Sequence, residues 1–589
     1  MQKTLFIAAH YAALAVFVAA CWGFGRALVR WLGKPPQRDA SLEAAMSVAL
    51  GVGLFIVVFQ GLGIAGVFRT PAVLAMLGAG LLAAGLQARG AAREWTAERR
   101  LRAAAAPSTL GERYALIVLA LVGLTTVFSP LSPPVAFDEM MYHLPYARQV
   151  AEQGRLGVYE WLRYPWFPYD YNLLYAAALM LYDDVFTHLL HALGGWLSVW
   201  MVLRIGTLHA NRVIGCVGAG IWLALGDYHN AYIDMGVALF ILTGCVALWW
   251  WRTSEGGTAA RWLAAAGFAL GVAAGSKYQA LSLLPLVAVF VLRRERRIGA
   301  LAIATLAFLL PCIYWYARNA LQTGDPFNPI GGRLFGFTNW NMDDYRQQLD
   351  DVLRAHAEMP HVALWPVLLA PWSPLLRRSP ALRAAAWFSA WSLLVWVVTS
   401  RYPRYLMASV PLIALTAAVG WHWIGLRIVA LWGGRRLPAG ALASRVLLVV
   451  LAGVSVAHTI RSVQTIAPSE PERQAFWRKN VPGYEVLTAL RAAPTGGRLY
   501  QIALNDSLYL APNPVWGDIF GPWRYAAYVY LPAAELAQKL RAGGFDTIVI
   551  QTSLAPYVHT KAGFDRHFTL LHEHDGVRAY RVLPAPATP

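Results

Sequence analysis

The sequence has little charge. Asp, Glu, Lys and Arg make up 14% of the 589 residues, whereas an ordinary soluble domain carries roughly 25%. Hydrophobic residues account for 57% of the chain, and its mean hydropathy is +0.44. This composition excludes an ordinary soluble protein and predicts a polytopic α-helical membrane protein.

Cysteine and the common catalytic signatures are also scarce. The four cysteines lie in apolar segments without Cys-X-X-Cys spacing, which argues against a disulfide framework and a structural zinc site. The chain has no Walker A loop, no Gly-X-Ser-X-Gly motif and no Asp-X-Asp motif of the soluble nucleotide-sugar enzymes. It also shows no internal repeat. The cysteines are Cys21, Cys216, Cys245 and Cys312.

The net charge of +18 would indicate a nucleic-acid partner in a soluble protein. No compact basic module with interleaved aromatic residues is present, however. Arginines in cytoplasmic loops and beside anionic lipid headgroups explain the positive charge. We therefore expect membrane lipids, and no nucleic acid, as partners.

Apolar runs long enough to cross a hydrocarbon core of about 30 Å predict about fourteen spans. Segment 171–207 fits either one kinked span or a short helix followed by a span, and segment 362–376 is short and rich in proline. The predicted spans are 5–28, 43–66, 71–88, 114–133, 171–207, 213–226, 230–251, 262–275, 278–292, 299–316, 362–376, 383–399, 405–430 and 444–463.

Positive charge orients these spans. The segment 89–113 carries six arginines, which predicts a cytoplasmic loop because such loops are enriched in Lys and Arg. Segment 114–133 then runs outward, so Asp138 and Glu139 emerge on the outer side. The last span places the C-terminus outside. The other basic clusters all fall inside: Arg204 and Arg212, Arg252 and Arg261, Arg293 to Arg297, Arg377 and Arg378, and Arg435 and Arg436.

The composition changes near residue 466. "PAAELAQKLRAGGFDTIVIQTS" predicts an amphipathic helix, a Gly-Gly stop and a strand, and "FTLLHEHDGVRAYRVL" predicts two strands around an Asp-Gly turn. We therefore expect 466–589 to form a small α/β domain on the outer face.

Several ionisable residues lie on the outer side, next to or within apolar segments. An acid or base at membrane depth costs roughly 2.5–3.5 kcal/mol on insertion scales, so each calls for a reason. They are Asp138 and Glu139 in the first outer loop, Asp227, His229 and Asp234 in "GDYHNAYIDMG", Lys277 and Tyr278 in "GSKYQ", Arg318 and Asn319 in "ARNALQTGDPFNPI", and Arg401 and Arg404 in "SRYPRYLMASVP".

Together these residues have the groups for transfer to a hydroxyl. Acids accept a proton from an attacking hydroxyl, and Lys and Arg hold a phosphate, such as that of an anionic lipid carrier. Each residue also has a purely structural interpretation. Asp138 and Glu139 fit a helix N-terminus, Asp234 an ion pair, Lys277 a snorkelling side chain, Arg401 and Arg404 interfacial anchors, and His188 and His191 hydrogen-bonded packing rather than metal ligands.

The order of these segments resembles the GT-C superfamily of integral-membrane glycosyltransferases, in its protein-mannosyltransferase and aminoarabinose-transferase-like (family 39-like) branch. "FDEMMYHLPYARQVAEQGRL" is similar to that family's first outer loop with its horizontal helix, and "YHNAYIDMGVALF" to its second acidic turn. "GVAAGSKYQALSLLPL", "ARNALQTGDPFNPI" and "RYPRYLMASVPLIAL" are similar to later segments. The resemblance covers 114–465. It makes 1–113 a three-helix transmembrane extension and 466–589 an extracytoplasmic domain.

The resemblance implies an inverting transferase in a bacterial inner membrane, with its site facing outward. Its donor would be a polyprenyl-phosphate-linked sugar, and its acceptor a lipid, glycan or protein hydroxyl. Asp138 is implied as general base, Glu139 as an auxiliary acid or an acceptor contact, and Asp234 as a residue that orients the acceptor or a basic neighbour. No cofactor is obligatory, although the Asp138–Glu139 pair offers oxygen ligands for a divalent cation. The implied substrate-binding residues are Tyr142, His143, His229, Lys277, Tyr278, Arg318, Arg401 and Arg404.

Two other classes compete with a transferase. A lipid-linked sugar flippase or other transporter would favour charges near the bilayer midplane, broken helices and an internal repeat. A polysaccharide polymerase or ligase would use a lipid-diphosphate donor and usually has a large outer loop between late spans. The charges at one rim, the sizeable outer domain and the moderate loop 318–361 favour the transferase.

Overall fold

The computed structural model describes residues 1–35, 39–103, 109–431, 438–493, 496–504 and 506–585, with the side chains of all of these except 97–103 and 438–444. The α-helices are α1 Gln2–Leu32, α2 Ala40–Ile64, α3 Thr70–Ala103, α4 Leu110–Val127, α5 Leu144–Gln153, α6 Asn172–Leu181, α7 Val185–His209, α8 Arg212–Leu225, α9 Asp234–Thr253, α10 Gly256–Ser276, α11 Leu284–Leu292, α12 Ile298–Thr323, α13 Gly332–Phe335, α14 Met342–Asp350, α15 Pro374–Arg378, α16 Pro380–Thr399, α17 Pro403–Leu406, α18 Val410–Leu431, α19 Pro438–Thr465, α20 Glu470–Asn480, α21 Tyr484–Ala492, α22 Ala526–Val529, α23 Ala533–Ala542 and α24 Pro556–His559.

The predicted class, a polytopic α-helical membrane protein with a small C-terminal sheet domain, is confirmed. Within the described residues, eleven helical stretches are long and apolar enough to cross a membrane. The other three predicted spans are shorter: Arg212–Leu225, Tyr278–Leu292 and Val362–Trp372. The last is a 3-10 helix with two internal prolines, which lack the N–H that α-helix hydrogen bonding requires.

Two predicted boundaries change. Segment 171–207 contains the short helix α6 and then the long helix α7, which decides between its two interpretations. Residues 89–103, expected in a loop, continue helix α3 because Ala, Arg and Glu are strong helix formers. The side chains of Arg99, Arg100 and Arg102, and residues Arg435 and Arg436, lie outside the described residues.

Glycine allows the first two helices to pack closely. A Cβ on Gly25 would lie 1.6 Å from the carbonyl oxygen of Ser47, and one on Gly51 would lie 1.8 Å from the carbonyl oxygen of Cys21. Small residues at helix crossings let backbones approach in membranes, where packing rather than hydrophobic burial drives association. Helices α1 and α2 therefore form a tight pair, and their buried residues continue into the core of the remaining spans.

The C-terminal domain contains a five-stranded mixed sheet in the order β2-β1-β3-β5-β4. Strand β1 pairs in parallel with β2 and β3, whereas β5 pairs antiparallel with β3 and β4. The predicted turn is present: Asp575 and Gly576 link β4 and β5 with φ angles of 44° and 73°. The strands are β1 Arg498–Ile502, β2 Val515–Trp516, β3 Phe545–Gln551, β4 Phe568–His574 and β5 Val577–Val582.

This domain packs directly on the membrane portion. The Trp477 indole donates to the carbonyl of Pro134 at 3.0 Å, and Arg473 pairs with Asp184 at 2.5 Å. The 3-10 turn Leu508–Leu510 packs on the turn that follows Asp138. The domain therefore lies against the first predicted outer loop.

Candidate active site

Glu139 anchors the segment that carries Asp138. One of its carboxylate oxygens accepts from the backbone N–H groups of Val135 and Ala136, at 2.7 and 2.6 Å. The other accepts from the backbone of Ala231 at 2.5 Å and contacts the His188 ring at 2.9 Å. Glu139 is fully buried, and both of its oxygens have partners within the protein. It therefore joins the first outer loop, α7 and the second acidic turn.

The backbone after Glu139 then turns tightly. Glu139–His143 form one π-helical turn that runs into α5, and α5 ends at Gly154 in the left-handed conformation. Glycine favours this conformation and is a common helix stop. The π-turn is a geometry often associated with functional sites, and here it sets Asp138, Tyr142 and His143 at one end of the bundle.

Arg404 bridges two of the three acids predicted to be catalytic, Asp138 and Asp234. Its Nη1 donates to Asp138 Oδ2, and its Nε donates to Asp234 Oδ2 at 3.0 Å. Lys277 Nζ donates to the other oxygen of Asp234 at 2.5 Å. Four segments distant in sequence thus meet in one network of two carboxylates and two cationic side chains, which we call the ionic network.

Aromatic rings surround the ionic network. The Arg404 guanidinium lies 4.0 Å from the ring centre of Tyr232, and Lys277 Nζ lies 5.4 Å from that of Tyr405. The Tyr142 hydroxyl donates to the Asp138 carboxylate. Cation–π contacts in a desolvated site stabilise positive charge without consuming hydrogen-bond donors. Arg404 and Lys277 therefore keep donors for a further anion.

Charge balance keeps Asp138 ionised. Burial alone would raise its pKa, but the Arg404 guanidinium and the Tyr142 hydroxyl lower it below the ordinary value of an aspartate. At neutral pH Asp138 is thus a carboxylate that can accept a proton.

Tyr278 and Arg318 lie in a second polar cluster. The Tyr278 hydroxyl donates to the carbonyl of Trp166 at 3.2 Å and accepts from Asn319 at 2.9 Å. Arg318 donates to the same carbonyl at 2.9 Å and to Asn319 Oδ1. Among the described residues, neither Tyr278 nor Arg318 has a polar contact with the ionic network, and both hold the backbone at Trp166.

A row of aromatic rings, in edge-to-face and stacked contact, connects the two clusters. Ring centres are 5.1 Å apart for Tyr142 and Tyr164, 4.3 Å for Tyr164 and Phe167, and 5.3 Å for Phe167 and Tyr278.

His229 and Arg401 lie apart from the ionic network. His229 pairs with Asp227 at 2.7 Å and is 62% exposed at its side chain. The hydrogen bond to Asp227 raises the pKa of His229. Arg401 is exposed, and its backbone, with φ 53°, turns the chain after α16. The tertiary structure thus separates these two residues from Lys277 and Arg404.

Sequence reasoning missed several residues of this region. Tyr232 and Tyr405 lay inside the quoted motifs, so their aromatic character next to charged residues was a signal. Asn172 and Asp506 had none. Asp506, in the C-terminal domain, has one carboxylate oxygen buried without a hydrogen-bond partner in the described part of the chain. Burial raises its pKa to about 6, and the Asp138 charge adds to the rise.

Metal-ligating side chains do not cluster in the part of the chain that the structure describes. No group of three or more His, Cys, Asp or Glu side chains there has the spacing of a metal site. His188 and His191 bond within the protein as predicted: His188 contacts Glu139, and the backbone N–H of Met235 donates to His191 at 3.2 Å.

Comparison with known sequences finds matches to short regions. A family described as SF2091/S2213 matches residues 472–581. Two uncharacterised proteins of Shigella flexneri, SF2093/S2215 and SF2092/S2214, are each 39% identical, over 70 and 64 residues. These matches cover 12% and 11% of this chain, and the chain spans 35% of the length of each relative.

Three solved structures of similar shape are remote from this chain in sequence. ArnT from Cupriavidus metallidurans in the apo state is 16% identical, with a TM-score of 0.48, over 79% of this chain and 97% of its own. The same protein bound to undecaprenyl phosphate is 17% identical, with a TM-score of 0.46, over 82% of this chain and 100% of its own. The oligosaccharyltransferase AglB from Archaeoglobus fulgidus, in complex with an inhibitory peptide and a dolichol-phosphate, is 12% identical, with a TM-score of 0.44. This match covers 76% of the present chain and 70% of AglB. At this level of similarity, the activity of the present chain has to be inferred from its own site residues.

Proposed function

We propose that the protein is an inverting glycosyltransferase. It moves a sugar from a polyprenyl-phosphate-linked donor to a hydroxyl of a lipid, glycan or protein acceptor. The observation that carries this proposal is the Arg404 bridge between Asp138 and Asp234, with Lys277 on the far side of Asp234. One carboxylate that can accept the proton and two cations that can bind a phosphate lie within one network.

The reaction assigns a separate task to each end of the network. The acceptor oxygen attacks the anomeric carbon in line with the bond to the carrier phosphate, and its proton passes to Asp138. The C–O bond to the phosphate breaks, and the phosphate leaves with the electron pair. Arg404 and Lys277 stabilise the charge that develops on it. A single in-line displacement inverts the anomeric configuration.

Substrate binding would also activate the base. Without substrate, the two negative and two positive charges of the ionic network balance, and Arg404 lowers the basicity of Asp138. A phosphate that binds the remaining donors of Arg404 and Lys277 competes with the two carboxylates for the positive charge of these side chains. The pull of Arg404 on Asp138 then weakens, so the pKa of Asp138 rises and the carboxylate becomes a better proton acceptor. The base would thus gain strength only when the donor is bound.

Asp234 and the residues around the ionic network act by position. Asp234 holds Lys277 and Arg404 together, and Glu139 fixes the backbone beside Asp138. Tyr142 and His143 lie next to Asp138, where they would line the sugar pocket. Because both oxygens of Glu139 have protein partners, we assign Glu139 to positioning rather than proton transfer.

Orientation completes the proposal. The chain would be a multi-pass protein of a bacterial inner membrane, in which 1–113 is an extension, 114–465 the catalytic core and 466–589 an extracytoplasmic domain. Arginine-rich ends such as 293–297 support this orientation. A reporter enzyme fused after residue 470 should be active only when exported, and a reporter that works in the cytoplasm would contradict it.

The function is tested by complementing a deletion strain with Asp138→Asn and profiling its lipids and glycans by intact mass. Wild type should restore the sugar-bearing species that the deletion strain lacks, and Asp138→Asn should not, although it inserts normally. The control is Asp343→Asn on α14, an exposed acid, which should restore the species. Restoration by Asp138→Asn would refute the base. If the deletion changes the leaflet in which a lipid-linked sugar lies, and every transferred sugar is still present, the protein would be a transporter instead.

A further inference from the structure

The side chain of Asn172 fixes the protonation state of His143. Its Nδ2 lies 3.1 Å from His143 Nδ1 and 3.2 Å from the carbonyl oxygen of the same residue. A carbonyl oxygen only accepts hydrogen bonds, so the Asn172 atom facing it must be the NH₂ group. The opposite amide orientation would place two oxygens, neither of them a donor, against each other. The NH₂ group therefore donates to both atoms.

This contact determines the tautomer. Because an NH₂ group cannot accept, the Nδ1 that receives its hydrogen bond carries no proton. A neutral imidazole has one N–H, so the proton lies on Nε2. His143 thus presents an N–H on the side of the ring away from Asn172.

Burial keeps this imidazole neutral. His143 is 2% exposed and Asn172 is 0% exposed. Burial lowers the pKa of His143 to about 3. Of the charges that face the ring, Arg404 and Lys277 also lower the pKa, whereas Asp138 and Asp234 oppose them. The ring therefore stays neutral across physiological pH. Its one lone pair, on Nδ1, already accepts from Asn172, so the task of the base is left to Asp138.

The Nε2–H of His143 is a buried donor without an acceptor. It has no hydrogen-bond partner among the residues that the structure describes. Buried polar groups in folded proteins are nearly always paired, and an exception needs an explanation. The charges that act on the ring are the four members of the ionic network, and its near neighbours include the Tyr142 ring at 4.3 Å. A ligand at that network is the natural acceptor.

We infer that His143 Nε2–H is a neutral hydrogen-bond donor to an oxygen of the donor sugar, and that Asn172 is the positioning residue that fixes its tautomer. The identity of the ligand rests on the proposed function, whereas the tautomer does not. Arg404 and Lys277 already supply positive charge for a phosphate. An uncharged N–H complements an uncharged hydroxyl or ring oxygen instead.

The tautomer is tested without substrate. In protein labelled with ¹⁵N-histidine, two-bond N–H correlation spectra should show His143, assigned by its loss in His143→Gln, as the neutral Nε2–H form from pH 5 to pH 8. Asn172→Asp replaces the donor with an acceptor and should move the proton to Nδ1. A wild-type ring that is protonated, or that carries its proton on Nδ1, would overturn the inference and leave the proposed function untouched.

The role toward substrate is tested with a matched pair of amides. The side-chain nitrogen of Gln reaches the position of His Nε2, whereas that of Asn reaches the position of Nδ1. His143→Gln should therefore stay within about 10-fold of wild type, and His143→Asn should lose about 100-fold, the scale of one lost transition-state donor. Equal loss in both variants, with thermal melting equal to that of wild type, would refute the donor role. If Asn172→Asp does not fold, this pair still decides the matter.

Binding of the carrier alone separates sugar from phosphate. Undecaprenyl phosphate, which bears no sugar, should bind wild type and His143→Asn with the same affinity. A 10-fold weaker affinity in His143→Asn would show that the Nε2–H faces the phosphate, and the assignment to the sugar would be wrong. If Asp138→Asn is fully active while His143 has the stated tautomer, the proposed function is wrong and the tautomer assignment still holds.

Discussion

Arg404 and Asp138 are 266 residues apart in sequence, yet the guanidinium Nη1 of Arg404 donates to the carboxylate Oδ2 of Asp138. The same guanidinium reaches Asp234 through Nε. A planar fork of donors allows one side chain to serve two acids at once. The first outer loop and the last one before the C-terminal spans are thereby held together at the site.

Replacing this fork should separate binding from folding. Arg404→Lys keeps the positive charge, but a single ammonium cannot bridge both carboxylates. We expect product formation to fall by about 100-fold, with a change in melting temperature of only a few degrees. Mass-spectrometric profiling and thermal unfolding in detergent would measure the two effects. Arg346→Lys on α14, whose side chain is 72% exposed, is the control and should match wild type in both.

Asp234 should matter for stability as well as for rate. Asp234→Asn leaves Lys277 and Arg404 with one carboxylate between them, and breaking a buried ion pair costs about 3–5 kcal/mol. The double variant Asp234→Asn, Lys277→Met removes the unpaired ammonium and should recover part of that loss without recovering activity. A thermal double-mutant cycle measures the coupling. Additive effects of the two changes would show that the pair is not coupled.

Glu139 should behave as a positioning residue. Glu139→Gln places an NH₂ group where either the Val135 and Ala136 N–H groups or the Ala231 N–H now donates, so at least one donor faces another. We expect a lower melting temperature and lower abundance. The activity per folded molecule should stay far above that of Asp138→Asn. Quantified folded protein and product from the same cells give this ratio, and loss of activity at full abundance would place Glu139 in the chemistry instead.

Asp506 should make stability depend on pH. Burial raises its pKa to about 6, against about 3.9 in an unfolded chain. Between these values the folded state holds a proton that the unfolded state has lost, so stability falls as pH rises from about 4 to about 6. The change is on the order of 1 kcal/mol after allowance for partial exposure to solvent. Asp506→Asn should remove this part of the pH dependence of the melting temperature, with the exposed acid Asp565→Asn as control. An unchanged pH profile in Asp506→Asn would show that the carboxyl titrates normally.

Local features of the fold were predictable because they depend on neighbours in the chain. Apolar runs predicted the long helices, and Asp575–Gly576 predicted the hairpin in the C-terminal sheet. Runs interrupted by proline, such as 362–376, were less regular than predicted, because proline removes backbone donors whatever the hydropathy of its neighbours.

The sequence by itself determined that this is a membrane protein, and it placed a set of acids and bases beside its apolar segments. Only the tertiary structure decided which of them meet. Asp138, Asp234, Lys277 and Arg404 form one network, whereas Arg318, Tyr278 and His229 bond elsewhere and Arg401 is exposed. Asn172 had no pattern at all, although it sets the proton of His143. The reason is physical: hydropathy and turns are properties of consecutive residues, but ion pairs and tautomers depend on distances of a few ångströms between helices that their packing alone brings together.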